Sequence, residues 1–251
     1  MRSFEELVAE AESADVSGWG FGWLDGRATE ERPPWGYSGL LADRLSRANS
    51  ALDIDTGGGE VLAEASVLPP RMVVTEGWAP NAEHARTLLG PRGVDVVESS
   101  DGPLPFRGSS FDLVTSRHPV HPDWTEIARV LAPGGRYFAQ HVGAASAFEL
   151  IEHFLGPLPE QRTGRDAHAE AAAAEAAGLL VDGLRIAHCR MEFFDVGAVV
   201  WILRKCVWWV PGFTAAAYEP QLRELDRTMR AGEPFIATSA RHLIEASKPR
   251  T

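Results

Sequence analysis

The stretch that most restricts what this chain can fold into is Ala51-Leu52-Asp53-Ile54-Asp55-Thr56-Gly57-Gly58-Gly59-Glu60: a short apolar run, three successive glycines and the start of a helical pattern. Glycine reaches positive φ without a Cβ penalty and lets a ligand approach the backbone closely. A helix after such a turn aims its first N–H groups and the positive end of its dipole at whatever sits there. A turn needed only for strand-to-helix packing is the plain alternative. Spacing separates the ligands that use this unit. A P-loop requires Lys and then Ser or Thr after its last glycine, whereas Gly59 is followed by Glu60 and Val61. A dinucleotide fingerprint begun at Gly57 meets Leu62 where its third glycine belongs, which disfavours nicotinamide and flavin.

With 251 residues and 45% hydrophobic content, the chain can bury one large core, and a single domain with additions is expected. The formal net charge of −11 opposes a phosphate-tracking surface, since nucleic-acid affinity rests on Lys and Arg. Cys189 and Cys206 are too few for a structural zinc site. The start, Met1-Arg2-Ser3-Phe4-Glu5-Glu6, has no apolar signal core, and Ser3 with Glu6 has the spacing of a capping box. The apolar stretch 196–210 is interrupted by Arg204-Lys205 and is too short to cross a bilayer. A soluble, cytoplasmic protein with no membrane partner is the expectation.

Residues 18–37 shift to Gly, Pro and Trp, with Trp19, Phe21, Trp23 and Arg32-Pro33-Pro34-Trp35-Gly36-Tyr37. Aromatics outside a periodic pattern either line a pocket or cap the open edge of a core. A helix is expected over 39–48, and after the glycine turn another over 60–66. Arg71-Met72-Val73-Val74-Thr75-Glu76 reads as a strand ending in an acid, about twenty positions beyond the turn, where a βαβ unit places ribose hydroxyls. Pro80-Asn81 opens a helix that Gly90 ends, and 94–98 is the next strand. Strands follow at 111–116, 136–140 and 184–194, with helical patterns from 126 and over 167–177. A final strand or two lies at 235–237 and 243–246. Strands alternating with helices argue for an α/β, doubly wound, mostly parallel sheet with helices on both faces.

Asp53 ahead of Gly57-x-Gly59 resembles the first motif of class I S-adenosylmethionine-dependent methyltransferases, Asp-x-Gly-x-Gly-x-Gly, with Asp55 in place of the first glycine. Aspartate is one of the few residues that tolerate left-handed backbone angles. Leu104-Pro105-Phe106 leading to Phe111-Asp112, and Arg129-Val130-Leu131 before Pro133-Gly134-Gly135, are similar to further stretches of that family. The chain resembles in particular a bacterial, type 11-like group of undefined substrate, through Pro33-Pro34-Trp35, Thr56 to Glu60, Thr75-Glu76 with Pro80-Asn81, Arg117-His118, and Asp195 to Ala198 before Pro211-Gly212-Phe213.

The resemblance covers 35–249 and implies a seven-stranded sheet whose last strand is antiparallel beside the fifth. It also implies S-adenosylmethionine as cofactor, leaving as S-adenosylhomocysteine. Asp53, Asp55, Thr56, Gly57, Gly59, Glu76, Gly77, the adenine-side turn Ser100-Asp101-Gly102, Arg117 and His118 are the implied cofactor residues. The parts would be a cap segment (1–38), a cofactor-binding core (39–194), a lid insertion (195–232) and a last-strand region (233–251).

Methyl transfer from a sulfonium is an in-line displacement, so the protein supplies alignment and exclusion of water, and a base only where the acceptor must lose a proton. His118 and His141, at the ends of the fourth and fifth core strands, are the base candidates, with His121 a weaker one. Hydrogen bonding to backbone, or packing, is the bland alternative for each. The Pro-rich spacing of these three histidines matches no standard ligand pattern, so no metal is expected. Trp23, Trp35, Tyr37, His121 and Trp208 are candidate pocket residues. Ser116-Arg117-His118-Pro119 stands where amino-directed nucleic-acid methyltransferases carry Asn-Pro-Pro-Tyr. A small-molecule acceptor is therefore the first expectation. An RNA methyltransferase, or a cofactor-binding sensor or partner subunit without transfer activity, remains the alternative, the last because of Asp55 and the lack of a convincing base.

Overall fold

In a computed structural model, residues 2–18, 20–99 and 102–250 are described. In chain order the elements are α1 (Phe4–Ser13), β1 (Ala28–Glu30), α2 (Tyr37–Arg47), β2 (Ser50–Ile54), α3 (Glu60–Ala63), β3 (Arg71–Glu76), α4 (Ala79–Leu89), β4 (Val94–Glu98), β5 (Phe111–Arg117), α5 (Trp124–Val130), β6 (Leu131–Val142), α6 (Phe148–Leu155), α7 (Ala167–Ala176), β7 (Leu180–Phe193), α8 (Val196–Lys205), α9 (Glu219–Arg230) and β8 (Phe235–Ser247). The chain divides into two compact units: residues 1–32, 145–164 and 188–240 form one, and residues 33–144, 165–187 and 241–251 the other.

The unit that contains the glycine turn is an α/β sheet in the order β7-β8-β6-β5-β2-β3-β4. β2 pairs in parallel with β3 and β5, β3 with β4, and β5 with β6. β8 runs antiparallel beside β6, with His141 opposite His242. The strands alternate sides because side chains follow the pleat. Leu52, Val114, Tyr137 and Ala139 face α5 and α7, while Ala51, Val74, Leu113 and Phe138 face α2 and α3. β3 is buried at all but its first residue, as expected of a parallel strand covered on both faces. The end helices are fixed locally: Asp123 and Asp166 cap α5 and α7 by accepting from the N–H groups of Glu126 and Ala169.

In the other unit, α8 is buried along nearly its whole length and packs with α1, α6 and α9. Its N-cap Asp195 accepts from the Ala198 N–H at 2.9 Å. Trp201 stacks on Trp23, and its indole N–H donates to the Asp15 carbonyl. The 195–232 segment, expected as a lid, thus supplies the central helix of this unit's own core. Ser3 and Glu6 form the expected capping box of α1.

One expectation needs correction. Eight strands are present where the resemblance implied seven. The additional one, β1, lies in the aromatic segment, where three residues of mixed polarity pair with the end of β7 and carry no period that sequence reading can detect. The region read as a final strand or two is one strand, β8. Among the described residues no helix is long and apolar enough to cross a membrane.

Gly59 has φ 86°, and a Cβ there would stand 2.6 Å from Leu89 Cδ1 on α4. Gly39, inside α2, has open space around the same position. Gly59→Ala is expected to cost about 2 to 4 kcal/mol through left-handed strain and overpacking. Gly39→Ala is expected to add about 0.5 to 1 kcal/mol through helix propensity. Urea unfolding of the two variants measures both signs.

Candidate active site

The glycine turn leaves β2 through a chain of alternating backbone signs, with φ 56° at Asp55, 64° at Gly57 and 86° at Gly59. Asp55 takes the left-handed conformation that its place in the motif requires. The turn is held from β3: the Thr56 N–H donates to the Thr75 carbonyl at 2.9 Å, and the Gly57 N–H donates to Glu76 Oε2 at 2.8 Å. The other oxygen of Glu76 accepts from the Trp78 N–H at 2.9 Å. Glu76 is therefore fixed by backbone at both oxygens. Each oxygen keeps a lone pair, which suits a ligand that offers hydroxyl donors. The indole of Trp78 beside it is 54% exposed, a large aromatic surface at the rim of the turn.

Beneath the turn, Asp53 is buried on the α2 side of the sheet. Thr115 Oγ1 donates to its carboxylate at 2.6 Å. Burial pushes the Asp53 pKa up to about 6, against the opposing pull of Thr115 and Thr56. The Thr56 hydroxyl falls short of full hydrogen-bond geometry and leaves its buried Oγ1 without a formal partner. Tyr37 lies on the same face, stacked on Phe138 at 5.2 Å, and its hydroxyl donates to the Ser116 carbonyl.

At the end of β5 the chain turns sharply, with φ 60° at His118. The His118 N–H is tied to the Gln140 carbonyl at 2.7 Å. Trp35, whose indole N–H can only donate, bonds Gln140 Oε1 at 2.7 Å. The amide therefore turns its NH2 to His118 Nε2, 3.0 Å away, so His118 accepts at Nε2 and carries its proton on Nδ1. Burial, together with the nearby Arg241 and Arg117 charges, holds the His118 pKa well below the usual histidine range.

His141, the other base candidate, is 1% exposed. Its Nδ1 lies 2.5 Å from Glu170 Oε2 and its Nε2 3.0 Å from the Tyr137 hydroxyl. His242 Nε2 lies 2.9 Å from the same Glu170 oxygen. Burial lowers the His141 pKa although Glu170 opposes this. Burial would raise Glu170, but hydrogen bonds from the two histidines prevail and bring it to about 2.

The remaining candidates are scattered. Gly77 and Arg117 are exposed at the strand ends next to Glu76 and His118, Gly102 is exposed with φ 129°, and His121 is exposed in the loop before α5. Ser100 and Asp101 lie outside the described residues, as does Trp19. In the other unit, Trp23 packs against Trp201 with Arg27 over its ring at 4.1 Å, and Trp208 is 56% exposed. Sequence reading missed Trp78, Gln140, Glu170 and His242. Trp78 was findable from its place two residues after the strand-end acid. The other three acquire meaning only through partners 22 to 72 positions away.

A doubly wound sheet with an acid-fixed glycine turn outside the carboxyl ends of β2 and β3 defines a Rossmann-like fold. Residues 52–139 match the methyltransferase-domain family. A provisionally assigned methyltransferase from Bacillus halodurans C-125 shares the fold at 18% identity, with a TM-score of 0.61 over 84% of this chain and 98% of its own. The YcgJ protein of Bacillus subtilis does so at 20% identity and TM-score 0.61, over 86% and 99%. Geranyl diphosphate methyltransferase, solved in complex with GPP and sinefungin, is 17% identical with TM-score 0.50, over 85% and 78%. No curated protein matches the chain in sequence. Residues 52–139 thus match a methyltransferase domain, and the chain shares the fold of these solved structures.

A buried acid that titrates near 6 instead of 3.8 binds its proton more tightly in the folded chain than in the unfolded one. Stability therefore falls as pH rises between those values, and the deficit is complete above them. Asp53→Asn is expected to raise stability at pH 7.5 by up to roughly 3 kcal/mol and to change it little at pH 4. Thermal melts at the two pH values measure the difference.

Proposed function

We propose that the protein transfers a methyl group from S-adenosylmethionine to a small-molecule acceptor that is nucleophilic near neutral pH. The observation that carries the cofactor reading is Glu76, locked across the glycine turn with Trp78 at its rim. The residues fit the group. A fixed carboxylate at the end of β3 suits ribose hydroxyls, an exposed indole suits the face of an adenine, and Asp53 and Asp55 suit a ligand with a sulfonium and an ammonium. The buried Thr56 hydroxyl has an unused hydrogen-bonding valence in the same turn. Sinefungin in a protein of this fold supports the same class of ligand. Bound there, S-adenosylmethionine supplies an electrophilic methyl group. Gly77, Ser100, Asp101, Gly102 and Arg117 are proposed to complete its surroundings.

The chain's own residues align the partners and hold protons in place. Asp53 ties β2 to β5 below the turn through Thr115. Trp35 and Gln140 hold His118 as the neutral Nδ1–H tautomer. His118 presents that N–H as a donor for orienting an acceptor and is a weak base. His141, enclosed by Tyr137, Glu170 and His242, is not placed to take a proton from an acceptor in this conformation. The net charge of −11 supports a small molecule over an RNA. Calorimetric titration with S-adenosylmethionine, S-adenosylhomocysteine and NADH tests the cofactor. Release of S-adenosylhomocysteine across a panel of thiols, amines, phenols and carboxylates tests the transfer.

Glu76→Ala is expected to weaken S-adenosylmethionine binding by about 10- to 100-fold, the loss of charge-assisted hydrogen bonds. Trp78→Ala should weaken it up to about tenfold. Unchanged binding in both variants would sink the cofactor site. Because His118 stays neutral, the rate of S-adenosylhomocysteine release should show no His118 inflection between pH 6.5 and 8. An inflection in that window that disappears in His118→Gln would instead make His118 the base.

A further inference from the structure

Among the described residues, one group of three side chains has the composition and closeness of a metal site: His141, Glu170 and His242. They come from β6, α7 and β8. His141 and His242 are directly opposite each other on antiparallel strands, and so project from the same face of the sheet. α7 lies over that face and lowers Glu170 between them. Both imidazoles aim at a single carboxylate oxygen, and one ligand atom from each residue lies within 4.8 Å of the others.

We propose that this cluster binds one first-row divalent cation, Zn2+ foremost, through His141 Nδ1, Glu170 Oε2 and His242 Nε2. Two imidazoles and one carboxylate are the ligand set of open, borderline-soft sites. A cation bound at about 2.0 to 2.2 Å from each ligand in tetrahedral geometry sets the ligand atoms roughly 3.3 to 3.5 Å apart. Glu170 Oε2 must therefore draw back from His141 Nδ1 and His242 Nε2, now 2.5 and 2.9 Å away, as the cation replaces the protons shared with them. His141 is already prepared for the role, because its other nitrogen lies 3.0 Å from the Tyr137 hydroxyl. A ligating histidine is characteristically held in this way through its second nitrogen, which then donates. The Glu170 side chain is 16% exposed while those of the two histidines are buried, so the carboxylate side is where a fourth ligand or water enters. Arg165 is the nearby positive charge that the cation must tolerate.

The sequence argued against a metal because it offered only His118, His121 and His141 in a Pro-rich arrangement. The ligands assembled here are 29 and 72 residues apart and share no motif. The proposal does not depend on the methyl acceptor or on cofactor binding.

The test is Zn2+ titration by calorimetry of the untagged, chelator-stripped full chain, with metal content measured by mass spectrometry after dialysis. Wild type is expected to take up one equivalent. Glu170→Gln and His242→Gln should each lose about 100-fold or more in affinity, and Tyr137→Phe about tenfold, while circular dichroism shows the folded chain. Absence of stoichiometric uptake by wild type overturns the site. So does uptake that persists undiminished in any folded variant lacking Glu170 or His242. S-adenosylmethionine binding, measured on the same samples, separates this outcome from the fate of the cofactor site.

Discussion

Two backbone hydrogen bonds accepted by Glu76 hold together the glycine-turn end of the sheet. One carboxylate oxygen takes the Gly57 N–H and the other the Trp78 N–H, so a single side chain at the end of β3 ties the glycine turn after β2 to the turn that begins α4. Backbone amides in tight turns must find acceptors. Here the acceptor is an anion that keeps a further lone pair on each oxygen. The shapes of both turns are therefore set by one side chain.

The same end of the sheet carries a concentration of buried polarity. Asp53 is enclosed with one strong hydrogen bond, His118 is held neutral by a Trp35 and Gln140 relay, and His141, Glu170 and His242 occupy the opposite face. Groups of this kind cost stability unless paired, and they gather where chemistry needs fixed dipoles. The glycines follow a different logic. Gly59 is required by its positive φ and by close packing against Leu89, whatever ligand the turn holds. Asp55 shows that one left-handed position in the motif can be met by an aspartate, at φ 56°.

Much of the sheet was legible because parallel strands read as short apolar runs: β3, buried at all but its first residue, and the edge strand β4, buried only at Val94, both fall on the residues that the pattern marks. The turn, Glu76 and the two histidines at strand ends were legible through spacing alone. What was missed has a common cause. β1 is three residues long, and Gln140, Glu170 and His242 have ordinary local surroundings. Their roles come from partners across strands or from a helix laid over the sheet, and no period in a sequence records such a partner.

The sequence by itself determined the succession of strands and helices, the positive-φ turn and the acid at its expected distance, because each depends on side-chain period, backbone freedom or a spacing within one βαβ unit. Only the tertiary structure decided that Trp23 is a core ring stacked on Trp201, that Gln140 sets the tautomer of His118, and that two cross-strand histidines share one carboxylate. Those outcomes depend on strand register and helix placement. A shift of one residue in register would turn His242 to the other face and dissolve the cluster.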